Sequence, residues 1–221
     1  MERLLWVVLI AAIIWALAMA VEASAFDKSR ASGVVGRLDS PIAMLELAES
    51  EQQFAAILDQ GERGKNITVM QLNTYMDFVF ILLYCLTFIL LAAVCSGTST
   101  LSMAVAAAIL AAGVLDYWEN FRLLGQFRSM RSGAAIAPLS RPVSLGKWGI
   151  FALALCLVGF ALLQARSRID GRALFAMSIF VFLAAGCTAV GLFRNRLIGA
   201  SVLCLFPALL IAAWVWRPWR G

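Results

Sequence analysis

The chain contains no histidine, and this absence excludes several kinds of site. Haem held by an imidazole, zinc bound through histidine and triads with a histidine base all need that side chain. Five cysteines are present, but all lie in or beside apolar runs, and no Cys-x-x-Cys pair occurs. We therefore expect neither a His-ligated haem nor a Cys-based redox centre. The identity of any cofactor or metal stays open.

Charged residues are scarce as well. They make up 14% of the 221 residues, against 62% hydrophobic residues. A soluble domain typically has about 25% charged residues, so this chain lacks the polar surface that water contact requires. The net charge of +5 comes from bases beside apolar runs. That placement indicates lipid headgroup contacts and orientation signals rather than nucleic-acid binding.

Six apolar runs are long enough to cross a bilayer as helices. They are Leu4–Val21, Tyr75–Cys95, Leu101–Trp118, Trp148–Gln164, Ala173–Phe193 and Leu197–Trp216. The sequence thus predicts an all-α polytopic membrane helix bundle, a single membrane domain over residues 1–221. The first run ends near Ala23-Ser24-Ala25, which resembles a signal-peptidase site. It is longer than a typical signal segment, so we expect an uncleaved first span.

The polar segment 22–74 is predicted to be an extramembrane loop with two short amphipathic helices. Ser40 before Pro41 is a typical start for the first helix. Ser50 and Gln53 form a capping box that starts the second. These helices either dock on the bundle or lie on the bilayer surface, and their acidic residues favour docking.

Short connectors give the chain a simple topology. Residues 96–100 allow only a tight turn between the second and third spans, and 194–196 do the same for the last two. The link 119–147 is longer and basic, with Gly133, Pro138 and Pro142 as helix breakers. Six spans place both termini on one side, and 12 of the 18 Lys and Arg residues fall on the other. The positive-inside rule then predicts that both termini face away from the cytoplasm.

Polar residues at membrane depth are costly, and here they recur at helical spacing on two neighbouring spans. When the hairpin is folded at about Thr98, both sets reach nearly the same depth. Alanines at every fourth position of the third span would allow close helix approach. The predicted cluster consists of Asn73, Asp77, Tyr84, Asp116, Glu119 and Asn120.

Two interpretations of this cluster are open. The groups could clamp the helices together, as polar residues near span ends often do. Alternatively they could bind a ligand, because paired carboxylates suit a cation, a cationic group or Mg²⁺ bridging to a lipid phosphate. Crowding would also allow acid–base chemistry.

Three short stretches carry a resemblance: Asp116–Asn120 (DYWEN), Tyr75–Phe80 (YMDFVF) and Met44–Ala48 (MLELA). Together they resemble a pattern in small bacterial multi-pass membrane proteins of unassigned function, over roughly a third of the chain. The resemblance implies an integral protein of the bacterial cytoplasmic (inner) membrane and no particular activity.

The expected function is that of a non-catalytic accessory subunit or a ligand-binding membrane protein. Its partners would be the lipid bilayer and other membrane protein subunits, with no nucleic acid. One alternative is an intramembrane enzyme acting on a lipid or isoprenoid through Asp77, Asp116 and Glu119. A small transporter is another, although only Pro207 interrupts the interior of a span and no repeat is visible.

Overall fold

The structure is a computed structural model that describes residues 1–27, 40–97, 99–135, 138–165, 171–191 and 196–216. Every regular element in these ranges is a helix. The eight helices are α1 (Glu2–Ala23), α2 (Pro41–Glu46), α3 (Glu51–Leu58), α4 (Arg63–Ser96), α5 (Thr100–Ser132), α6 (Arg141–Ala165), α7 (Gly171–Gly191) and α8 (Arg196–Val215). The all-α prediction is confirmed. The connector predicted at 194–196 lies mostly outside the described residues.

Local sequence signals account for several helix ends. Pro41 is the first residue of α2, and the Ser50 hydroxyl accepts a hydrogen bond from the Gln53 amide at the start of α3. Gly97 and Gly133 have φ angles of 64° and 68° where α4 and α5 end. Glycine adopts this left-handed backbone without the steric cost that other residues incur.

Helices α1, α4, α5, α6 and α7 are long and apolar enough to cross a membrane. On α4 the exposed large hydrophobic residues recur on one helical face: Leu72, Tyr75, Val79, Leu82 and Leu86. A bundle that exposes leucine and valine while burying charged groups is suited to lipid. The chain is therefore a multi-pass membrane protein. The described apolar stretch of α8, Cys204–Val215, is shorter, so the sixth span stays a prediction.

The helices pack in chain order from α1 through α4, α5, α6 and α7 to α8, with further contacts of α4 to α6 and of α1 to α8. Gly113 of α5 lies so close to α4 that a Cβ there would be 2.7 Å from the Cys85 sulfur. An apolar cavity of about 10 Å³, room for about one water, separates the start of α1 from the end of α8, between Leu5, Leu9, Ala208 and Ala212. The start of α1 and the end of α8 are thus at one end of the bundle.

Helices α4 and α5 are longer than a bilayer requires. They have 34 and 33 residues, or about 50 Å, against a hydrocarbon core of about 30 Å. The segment 22–74, predicted to be extramembrane, thus includes the last residues of α1 and the first part of α4, which begins at Arg63.

Helices α2 and α3, which we call the cap, pack on the protruding parts of α4 and α5. Phe54 and Leu45 of the cap are fully buried with Met70, Leu123 and Phe127 in a core separate from that of the membrane bundle. The rings of Phe54 and Phe127 are 5.9 Å apart. The cap therefore docks on the bundle rather than lying on the bilayer, and we call this end of the bundle the cap end.

Candidate functional site: a buried lysine among carboxylates

The seam between α4 and α5 contains most of the predicted cluster. The Tyr84 hydroxyl donates to Asp116 Oδ2 at 3.0 Å, and Asn120 Nδ2 donates to Asp77 Oδ2 at 2.8 Å. Each bond joins the two helices across the seam. The depth match inferred from the short turn therefore brings these four side chains together in two pairs.

Asn73 does not join that seam. Its amide nitrogen donates to the Met19 carbonyl at 3.2 Å and to Glu22 Oε2 at 3.0 Å, both on α1. Asn73 is on the same helix as Asp77, but its side chain connects α4 to α1. The structure thus separates this residue from the other five members of the predicted cluster.

Lys147 of α6 lies at the centre of the site. Its ammonium is 2.9 Å from Asp116 Oδ1 and 3.2 Å from Glu46 Oε2, and it also contacts Glu119 Oε2. Lys147, Glu46, Asp116 and Glu119 are each at least 92% buried. We call these four residues the charged cluster. It joins α2, α5 and α6, while Tyr84 connects it to α4.

The cap enters this cluster through Glu46, the last residue of α2. Its carboxylate also accepts a hydrogen bond from Trp148 Nε1 at 3.2 Å. Its backbone carbonyl accepts from the Ser144 and Ser140 hydroxyls at 2.9 and 3.2 Å. Carbonyls at a helix end have no partner within the helix, so Ser144 of α6 and Ser140, which directly precedes α6, cap the end of α2. Ser144 also contacts Glu119 Oε1.

The electrostatics of the cluster are unbalanced. Three carboxylates and one ammonium carry a net charge of −2 if all four are ionised. For Glu46, which lies outside the membrane spans, loss of hydration on burial raises the carboxyl pKa; Lys147 opposes this shift, and Asp116 adds to it. The Glu46 carboxyl therefore holds a proton more readily than a solvated glutamate.

The geometry also limits what the cluster can hold. A lysine ammonium has three N–H donors, and here three different carboxylates surround it. The ammonium thus occupies the place that a ligand cation would take. Within the part of the chain that the structure describes, no three acidic or cysteine side chains are grouped so as to hold a metal ion.

Two members of the charged cluster were missed by sequence reasoning. Glu46 is away from the apolar stripe of α2, so its spacing did not indicate burial beside the two spans. Lys147 was counted among loop cations, because Pro142 was interpreted as a helix breaker. A usable signal was present, since Ser140, Ser144 and Lys147 recur at helical spacing just before an apolar run.

Comparison of this chain with known proteins adds no relative. No protein-family model, no curated protein and no solved structure matches it. The role of the charged cluster is therefore inferred from its own residues and contacts.

Proposed function

We propose that this chain is a non-catalytic multi-pass membrane protein of the accessory-subunit type, in which the charged cluster fixes the cap on the membrane bundle. The observation that carries the proposal is the position of Lys147. Its ammonium donates hydrogen bonds to Glu46 Oε2 and Asp116 Oδ1 and forms an ion pair with Glu119. These three carboxylates come from the cap and from α5. A site so fully engaged from within favours a structural role over ligand binding.

Charge pairing of this kind fixes geometry more than it adds stability. Removing two charges from water costs several kcal/mol per ion, and their attraction offsets that cost only when every partner is present. Loss of one partner leaves an uncompensated buried charge. The cluster thus specifies one position for the cap, because Glu46 must reach Lys147. Apolar contacts alone would allow the cap more than one position.

Lys147→Met tests the structural role. We expect it to lower the free energy of unfolding by about 3–5 kcal/mol, because three buried carboxylates lose their counter-ion. The quadruple variant Glu46→Gln, Asp116→Asn, Glu119→Gln and Lys147→Met should recover most of that loss, since it buries no net charge. The measurement is unfolding in detergent, with the exposed Lys65→Met as the matched control. A Lys147→Met protein as stable as the wild type would refute the clamp.

The accessory role requires a partner, and the cap is the part that a partner could reach outside the membrane. A photo-crosslinker at Gln52, exposed on α3, should join the protein to another membrane subunit in native membranes. The same group at Met103, on the lipid-facing side of α5, is the control. Crosslinks to lipid alone from both positions would contradict an accessory role while leaving the clamp untouched. The bacterial inner membrane stays the expected location.

A further inference from the structure

The lipid-facing stripes of α4 and α5 lead into polar and basic residues at the cap end. Two helical turns, or seven residues, separate the exposed Leu72 from Lys65 and Tyr75 from Thr68 on α4. Residues seven apart share a helical face, to within about 20°. The face that meets lipid at Leu72 and Tyr75 therefore continues into Lys65 and Thr68.

Helix α5 repeats this pattern. Val114, Phe121 and Arg128 follow one another at seven-residue intervals and are all exposed. Arg131 projects toward α4, where its Nη2 donates to Thr68 Oγ1 at 2.8 Å. This bond connects the two stripes at one level. We call Lys65, Thr68, Arg128 and Arg131 the headgroup face.

The aromatic residues next to the headgroup face indicate its position relative to the bilayer surface. Tyr75, Trp118 and Phe121 are 57–66% exposed on the outside of α4 and α5. Exposed aromatic rings prefer the boundary between hydrocarbon and headgroups. Lys65, Arg128 and Arg131 are seven to ten residues further along, or about 10–15 Å. Long basic side chains at that distance reach back to the headgroup layer.

The charge of the face is of one sign. From Gly64 to Met76 and from Asn120 to Ser132 the two helices contain no Asp or Glu. In the described part of the chain, no carboxylate is within 4.0 Å of the Lys65 or Arg128 side chain. Two acids that flank α3 are engaged elsewhere, since Glu49 pairs with Arg141 and Asp59 with Arg63. Among the residues that the structure describes, the cations of this face thus have no carboxylate partner.

From these observations we infer that the headgroup face binds the phosphate of an anionic phospholipid, whose acyl chains lie along Leu72, Tyr75 and Phe121. An orientation signal would not require these cations to lie on one helical face. The positive-inside rule depends only on the number of cations on each side of the membrane. Here the cations continue the two exposed apolar stripes of α4 and α5. A basic group near an anionic surface adds about a fivefold preference for it.

The test uses the full chain in detergent and measures binding of phosphatidylglycerol and of phosphatidylcholine by native mass spectrometry. Lys65→Gln with Arg128→Gln should weaken phosphatidylglycerol binding about 25-fold and leave phosphatidylcholine binding unchanged. Arg131→Gln should remove about a further fivefold. The matched control is Arg3→Gln with Arg172→Gln, which removes two exposed cations at the opposite end and should change binding less than about twofold.

Three outcomes would overturn the assignment. Equal losses in the two double variants would show an effect of net charge alone. Equal binding of both lipids by the wild type would remove the headgroup preference. Binding of glycerol 3-phosphate with the same affinity and the same dependence on Lys65 and Arg128 would make the ligand a soluble phosphate. Unfolding curves of all variants, expected to match the wild type because these side chains are exposed, separate binding from folding.

Discussion

Single polar side chains join the helices of this bundle at membrane depth. Trp15 Nε1 donates to the Met76 carbonyl at 2.8 Å and ties α1 to α4. Tyr84 ties α4 to Asp116 on α5 in the same way. In lipid the hydrophobic effect does not drive helices together, so close packing and such hydrogen bonds determine which helices associate. Each bond is modest by itself, but it selects one pairing of faces.

Tyr84→Phe isolates one of these bonds. Removing the hydroxyl leaves Asp116 without its donor from α4, and we expect the free energy of unfolding to fall by about 0.5–2 kcal/mol. Tyr75→Phe, on the exposed side of the same helix, should change stability by less than about 0.5 kcal/mol. Reversible unfolding in detergent and lipid mixtures measures both. Equal effects of the two variants would mean that the Tyr84 bond contributes nothing.

At the scale of helices, the spans and the pairing of α4 with α5 could be predicted because they depend on local signals. The length of the apolar runs was sufficient to predict the spans. The short turn and the helical spacing of Asp77, Asp116 and Asn120 were sufficient to predict the pairing. The charged cluster could not be predicted fully, because Glu46 and Lys147 are 101 residues apart. Only the docked cap brings them together, and helical spacing within one segment does not predict contacts between distant segments.

Docking of the cap should depend on pH through Glu46. Burial raises its pKa above the ordinary value of 4.5, so the docked cap binds the proton more tightly than the undocked cap does. The contribution of Glu46 to docking is therefore fully present at pH values below 4.5 and is lost as pH rises through the raised pKa. Hydrogen exchange of the α2 and α3 amides, corrected for intrinsic rates, should show protection falling with rising pH.

Glu46→Gln provides the comparison, because glutamine stays neutral and should flatten that pH dependence. Glu51→Gln changes an exposed glutamate of α3 and should leave it as in the wild type. If protection rises with pH in the wild type, or if the Glu46→Gln protein keeps the wild-type slope, Glu46 does not control docking.

At the scale of the whole molecule, the two ends of the bundle differ in composition and structure. The cap end has the protruding parts of α4 and α5, the charged cluster and the link between α5 and α6. The opposite end has the start of α1 and the end of α8, next to the same apolar cavity. If α8 crosses the bilayer, the chain crosses it an even number of times. The cap then faces one compartment, and both termini face the other.

Reporter fusions test this arrangement and its orientation. By sequence, 12 of the 18 Lys and Arg residues fall on the side of the first, third and fifth predicted connectors, so the positive-inside rule predicts that this side is cytoplasmic. A reporter inserted after Gly133, between α5 and α6, should be active only as a cytoplasmic enzyme. A reporter after residue 221 should be active only on the other side. A cytoplasmic reporter at 221 together with an external one at Gly133 would reverse the orientation and keep the fold. Reporters on the same side at both positions would contradict the sixth crossing, because the described helices would then leave α8 on one surface of the bilayer.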